Sequence, residues 1–219
     1  MKEHMERDLF IRRTGLNLPT ISSDIHRIVA MKDLVTIDNL IAMPKEYMIQ
    51  LLQSVTLEGD NTIYPYKDAI IKTRRIDPKS LLIGQTFVER GKYMNLIENI
   101  TNIFDSFCVS SGFAKCTSFI VIGRTADGIS AIAHYLSPII EVFNDNECLI
   151  DGVHRNYITR AAGTTIESIV IKNVSTHLPC EFGMWEKVRV VNEKPPREER
   201  FINLNKYFFR NLAWSGIDG

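Results

Sequence analysis

The chain has 219 residues, 45% of them hydrophobic and 24% charged, a composition that suits a single globular domain with an appended segment, or two small domains. Lys plus Arg and Asp plus Glu each number 26, and that balance argues against a protein that coats DNA, where a clear basic excess is usual. The four cysteines (Cys108, Cys116, Cys148 and Cys180) show no CxxC spacing, which excludes the common zinc and thioredoxin-like arrangements and leaves neutral thiols in a reducing compartment.

The N-terminal run MKEHMERDLFIRR is charged throughout and lacks an apolar signal core, and no apolar run approaches the ~18–20 residues needed to span a bilayer. A cytoplasmic protein with no membrane association is the expectation. Residues 1–32 are polar and mixed, and read as a partly ordered arm or short helices. Pro44 suits the first turn of a helix, and Tyr47, Leu51, Leu52 and Val55 then share one face of an amphipathic helix over 45–55. Residues 69–76 (AIIKTRRI) are strand-like until Asp77-Pro78 interrupts them, and 81–83 make a short apolar run before Gly84-Gln85-Thr86. Met94, Ile97, Ile100, Ile103, Phe104 and Phe107 recur at helical spacing, so a core-facing helix is expected over 90–107.

The period then changes. Residues 118–123 (SFIVIG) read as a buried strand, 125–128 (TADG) as a turn, and 129–135 as either a second strand or a short helix. Two apolar runs, 138–143 and 147–150, flank Asn144-Asp145-Asn146 as a hairpin. A helix follows within a few residues of Asp151-Gly152 and is closed by Gly163, and 166–171 (IESIVI) is a further strand. Beyond His177 the pattern loosens. Pro195-Pro196 and REER mark an exposed linker, and Phe201, Leu204, Tyr207, Phe208, Leu212 and Trp214 suggest an aromatic-rich terminal helix packed on the core.

The feature with chemical content is Asp151-Gly152-Val153-His154-Arg155, at a strand-to-helix junction. N–H groups in the first turn of a helix have no intrahelical acceptor and point outward, which favours anions. Gly152 permits a sharp turn and close approach of a ligand to the backbone. His154 and Arg155 can donate to phosphate oxygens, and Asp151 can hold Mg²⁺ or take a proton from an attacking hydroxyl. Against this stands a purely structural account, with Asp151 an N-cap and Arg155 the partner of a surface carboxylate.

The run 138–172 around this junction resembles the ParB/sulfiredoxin superfamily, whose members place a hairpin, a DGxHR-like or GxxR-type turn, a helix and a strand in this order. In motif it is nearest to the Asp-Gly-His-His-Arg turn of the ParB-like free serine kinases, where a nucleotide phosphate lies against the loop. The resemblance implies an α/β (α+β) fold, with a mixed sheet flanked by helices, and helical extensions at both ends. It divides the chain into an N-terminal extension (1–68), a nucleotide-binding domain (69–176) and a C-terminal extension (177–219). Gly152, Val153, His154 and Arg155 match the phosphate-binding turn, and Asp151 matches the kinase carboxylate. Val153 stands where sulfiredoxins carry cysteine, so sulfinic-acid reduction is excluded, and the Gly-Glu-Arg-Arg box with which ParB proteins bind CTP is absent.

More weakly, 76–107 resembles the family's first strand, ligand-facing loop and first helix. The kinases carry a catalytic glutamate in that loop, where this chain has Gln85 and Thr86, with Glu89 close behind. Gln85, Thr86 and Lys92 are then candidate nucleotide contacts, and Asp151, His154 and Glu89 candidate catalytic groups. The resemblance implies ATP or another nucleotide with Mg²⁺, a small-molecule or protein hydroxyl as acceptor, and a phosphotransferase or nucleotide hydrolase. The alternative is a non-catalytic nucleotide- or DNA-binding regulatory module, and a homodimer stays open in either case.

Outside the motif, Glu141 is expected as a solvent-facing charge on the hairpin, and His134 and Tyr135 in packing or turn roles. The cluster Lys72, Arg74 and Arg75 reads as a solvated strand end, with nucleic-acid contact the sharper alternative. Trp185 and Trp214 are expected to be core or interface aromatics. The stretch 114–135 exceeds the family minimum and has no functional reading.

Overall fold

The computed structural model describes residues 5–18, 25–92, 94, 118–213, 216 and 217. The helix expected over 90–107 therefore lies outside the described residues, apart from helical residues 90–92 and 94, as do Trp214, Cys108 and Cys116. In chain order the first elements are β1 (Met5–Glu6), α1 (Arg7–Thr14), β2 (Arg27–Ile28), β3 (Leu34–Ala42) and α2 (Lys45–Gln53). Next come β4 (Ile70–Ile76), β5 (Leu82–Ile83), β6 (Phe87–Glu89), β7 (Phe119–Thr125) and β8 (Ser130–Tyr135). The last are β9 (Ile139–Phe143), β10 (Asn146–Asp151), α3 (Val153–Ala161), β11 (Ile166–Lys172) and β12 (Arg189–Val191). Sheets flanked by few helices make this a mixed α+β protein, and among the described residues no helix is long and apolar enough to cross a membrane.

The chain forms two compact units. One comprises Met1–Ala69, Thr117–Leu136 and Phe209–Gly219, and the other Ile70–Cys116 and Ser137–Phe208. This differs from the three-part division expected from the sequence. The stretch 114–135, which had no functional reading, carries the β7–β8 hairpin of the first unit over residues 119–135, and 177–208 are part of the second.

In the first unit the sheet order is β1-β2-β8-β7-β3. β2 runs parallel to β8, and the other neighbours are antiparallel. The residues proposed for one face of α2 are the buried ones, with Leu51, Leu52 and Val55 fully enclosed and Tyr47 nearly so. His134 has the packing role expected of it. It is fully buried, 2.8 Å from the Tyr47 hydroxyl through Nε2 and stacked on Phe10 with centroids 5.5 Å apart. Burial also pushes the Tyr47 phenol above its ordinary range, so it stays neutral and can share a proton with the imidazole. β3 has no counterpart in the sequence reading. It is a bulged edge strand whose residues 35–39 are exposed on both sides, so it lacks the alternation by which strands are recognised.

The second unit carries the junction. Its sheet order is β4-β11-β9-β10-β5, with β11/β9 and β10/β5 parallel and β4/β11 and β9/β10 antiparallel. The expected hairpin is β9–β10, closed by Asn144 and Asp145, whose positive φ angles of 48° and 61° fit residue types that tolerate the left-handed region. Residues 130–135 in the first unit resolve as strand, and the helix expected after Asp151-Gly152 is α3. Val153 at the start of α3 joins Ile140, Leu149 and Val170 of the sheet, with Ile76, Leu81, Ile83, Val88 and Trp185, in one apolar cluster. Each such aliphatic side chain contributes roughly 1.5–3 kcal/mol by leaving water, so this cluster anchors the N-terminal end of α3. Trp185 is a core aromatic as expected, its indole N–H donating to the Pro78 carbonyl at 2.6 Å.

Two expectations are corrected here. No α-helix forms over 200–213; residues 201 and 202 instead bridge to Gln85 and Glu181, Asn203 takes a left-handed φ of 52°, and Lys206–Phe208 makes a 3-10 turn. The aromatic spacing there reflects contacts such as the His177–Phe208 and Tyr207–Phe208 edge-on pairs rather than one helical face. Glu141 is not exposed but buried at 1%, in register with Cys148, because its strand is central in the sheet, paired with β11 on one side and β10 on the other. Burial and that carboxylate push the Cys148 thiol up to about 12, which keeps it neutral and unreactive.

Candidate functional site

β10 ends at Asp151 and α3 begins at Val153, so a single residue, Gly152, makes the turn. Its φ of +90° is a conformation that side chains disfavour. A Cβ there would lie 2.9 Å from Pro138 Cβ and 3.1 Å from Arg155 Nη2. The space beside Gly152 is thus filled by the protein's own atoms. The glycine serves the turn and its packing.

Asp151 and Arg155 close the same turn. Arg155 reaches back one helical turn to place Nη2 3.3 Å from Asp151 Oδ2, and the two side chains are only 9% and 16% exposed. Neither half of the structural alternative holds as stated. Gly152, not Asp151, occupies the N-cap position, and Arg155 pairs with a largely buried carboxylate from its own motif. The N-cap residue, a glycine, has no side chain with which to cap α3. The first helical bond is Asn156 N–H to the Gly152 carbonyl at 3.0 Å, so the N–H groups of Val153, His154 and Arg155 have no acceptor within the helix.

His154 is the group whose state is most sharply defined. Its Nε2 lies 3.0 Å from the backbone N–H of Glu89, at the end of β6. An N–H donor can only meet an unprotonated ring nitrogen, so the proton of the neutral ring sits on Nδ1. Burial first, then the positive charges of Lys92, Lys194 and Arg155, push the imidazole down to about 4. The imidazole is a neutral donor in an electropositive setting. The sequence had supplied His154, Glu89 and Lys92 separately. Lys194 had no motif to mark it and is brought in by the fold.

The consequence for stability has a definite sign. A histidine held near 4 in the folded chain takes up its proton in the unfolded chain as pH falls below its ordinary value of about 6.5. Its contribution is therefore fully present above about 6.5 and is lost as pH falls towards about 4. Chemical denaturation between pH 7 and 5 should show declining stability, and His154→Gln, whose amide oxygen can still accept from Glu89, should flatten that decline. An unchanged slope in the variant would contradict this assignment.

The remaining candidates are occupied by the chain's own backbone. Gln85 Nε2 donates to the Phe87 carbonyl at 2.8 Å, and the Thr86 hydroxyl lies 3.1 and 3.2 Å from the carbonyls of Glu199 and Arg200. Among Lys72, Arg74 and Arg75, all exposed on edge strand β4, Arg74 pairs with Glu147. Among the described residues no three His, Cys, Asp or Glu side chains converge in a way that could hold a metal ion.

Comparison with protein-family models, with curated proteins and with solved structures found no match.

Proposed function

We propose that the second unit is a ParB/sulfiredoxin-like domain that binds the phosphates of ATP or another nucleotide at the start of α3, and that it acts as a phosphotransferase or nucleotide hydrolase. The observation that carries this is the state of His154: a neutral imidazole, fixed by the Glu89 N–H and set among positive charges in the first turn of α3. Phosphate oxygens would accept from the N–H groups of Val153–Arg155 and from His154 Nδ1–H. Arg155 contributes its charge at the turn while Asp151 holds it in place.

Asp151 is a poor fit to the role of resident metal ligand because its carboxylate is engaged by Arg155. Glu89, whose backbone touches His154, is then the carboxylate better placed to accept a proton from an attacking hydroxyl. As the acceptor oxygen bonds to the γ-phosphorus, the bond to the bridging oxygen breaks, ADP leaves and Glu89 takes the hydroxyl proton. The acceptor would be a small-molecule or protein hydroxyl, or water.

One observation favours the second reading, a nucleotide- or DNA-binding regulatory module without catalysis. The loop at Gln85 and Thr86, where the resemblance places a catalytic glutamate, is committed to backbone hydrogen bonds. The two readings separate in one experiment. Melting temperature is followed with ATP, ADP, CTP and GTP in the presence of Mg²⁺, where a bound ligand raises it by mass action. We expect a shift with at least one nucleoside triphosphate that disappears in His154→Ala. Binding with turnover supports the enzyme, and binding without it supports the regulatory module. DNA binding that weakens steeply with salt would place nucleic acid among its partners. No shift with any nucleotide, together with no salt-dependent DNA binding, overturns both.

A further inference from the structure

We infer that the edge of β8 beyond β2 is a strand-accepting groove, filled in this structure by the chain's own Gly216 and Ile217, and that it takes in the same way an extended peptide in which glycine precedes a β-branched residue. The inference lies wholly within the first unit and is independent of the phosphate-binding reading above.

β2 covers only part of that edge. It pairs Arg27 with Ala131 and Ile28 with Ile132, the N–H groups of His26 and Val29 donate to the carbonyls of Ser130 and Ile132 at 3.0 and 2.9 Å, and residues 31–33 then leave the ladder as a 3-10 turn. Every second residue of a strand turns its N–H and C=O to the same neighbour, so after Ser130 and Ile132 the next to need a partner on this side is His134. Its N–H donates to the Gly216 carbonyl at 3.0 Å, and Ile217 bridges to it in parallel. Gly216 and Ile217 thus continue in the lane that β2 leaves. Because His134 is fully buried, an unmet N–H there would cost about 1–3 kcal/mol, and the edge favours any strand that brings a carbonyl to it.

The recess is shaped for this pair of residues. A Cβ on Gly216 would lie 2.7 Å from Ile28 Cγ2 and 2.8 Å from the Val29 carbonyl oxygen, and its φ is +70°, so only glycine fits against the end of β2. Ile217 is 3% exposed, and its branched side chain suits an extended backbone.

The segment is attached at two separate places. Glu58 N–H donates to the Phe209 carbonyl at 2.8 Å, Asn211 N–H to the Thr56 carbonyl at 2.9 Å, and Arg210, itself buried, bridges to Leu57 between them. Against that ladder, the described contact with β8 is a single bridge. An attachment so short opens locally without unfolding the unit, while 209–211 stay in place. His134 N–H and the recess beside Ile28 then face an incoming strand, the mode in which a sheet edge recognises a peptide through its main chain and reads alternate side chains.

The test is an NMR titration of the full chain, native and Gly216→Val, with a synthetic peptide of residues 212–219, followed through the His134 amide. Gly216→Val expels the chain's own residues and should bind the peptide. The native chain should bind it more weakly by roughly tenfold or more, since its tethered segment competes at an effective concentration in the millimolar range. The same peptide carrying Gly216→Val should bind neither. Hydrogen exchange on the native chain supplies a second readout: the His134 amide should exchange by local opening, well before the amides of β7, which β8 and β3 flank on both sides. Exchange of His134 only together with β7, loss of β7 protection in Gly216→Val, or a folded Gly216→Val chain that ignores the peptide would each make the segment a permanent strand and overturn the inference.

Discussion

Asp151→Asn is expected to lower the stability of the second unit by about 3 kcal/mol, the lower end of what is lost when one partner of a buried ion pair is removed. The substitution keeps the shape and an acceptor oxygen but takes away the charge that balances Arg155, whose side chain is 9% exposed and lies at 3.3 Å. Trp185 belongs to this unit and is buried, so its fluorescence in a Trp214→Phe background reports the relevant transition. The double variant Asp151→Asn/Arg155→Met should recover most of the loss, because no charge is then left without its counterpart. A single variant within about 0.5 kcal/mol of the native chain, the range of ordinary surface changes, would show that the pair is solvated and structurally idle. It follows that loss of activity in Asp151→Ala would say little about catalysis. His154 is the better probe of chemistry.

What the sequence disclosed depended on the range of the signal. Local periodicity was sufficient for α2, for β4, for the β9–β10 hairpin and for the β10–α3–β11 succession, because each has one face against a core and its turn residues in place. Asn144-Asp145 and Gly163 sit at left-handed φ as their residue types imply. Strand β3 escaped notice because an edge strand exposed on both faces carries no alternation. The assignment of β7 and β8 to a different unit from their neighbours in sequence depends on pairing with β2 and β3, some 80 to 100 residues earlier, which no local pattern encodes. Glu141 was misplaced for a related reason: the strand that makes its own central in the sheet, β11, lies beyond α3 in the chain.

The candidate site shows the same division. The motif marked its location, but the roles of its members follow from contacts that composition does not reveal. Asp151 and Arg155 are turned towards each other, and Gly152 is packed against Pro138. The groups that define the electrostatics at His154 arrive from β6, from Lys92 and from the loop after β12. A glycine followed by a basic residue in a DGxHR-like turn is usually read through what it offers a ligand. Here half of the motif is spent on making the turn itself.

That division can be measured with two glycines at opposite ends of α3. Gly152 and Gly163 both take positive φ, +90° and +65°, but a Cβ on Gly163 meets nothing within 4 Å whereas one on Gly152 meets Pro138 at 2.9 Å and Arg155 at 3.1 Å. Gly163→Ala should therefore cost only the backbone penalty, about 1 kcal/mol. Gly152→Ala should cost about 3 kcal/mol, since overpacking against Pro138 and displacement of the Arg155 guanidinium add to the same backbone term. Equilibrium denaturation of both variants gives the difference directly. Two equal losses would mean that the space beside Gly152 is open, and would return that residue to the role of admitting a phosphate to the backbone. A larger loss at 152 assigns it to the turn, and leaves anion recognition to the N–H groups, His154 and the surrounding cations.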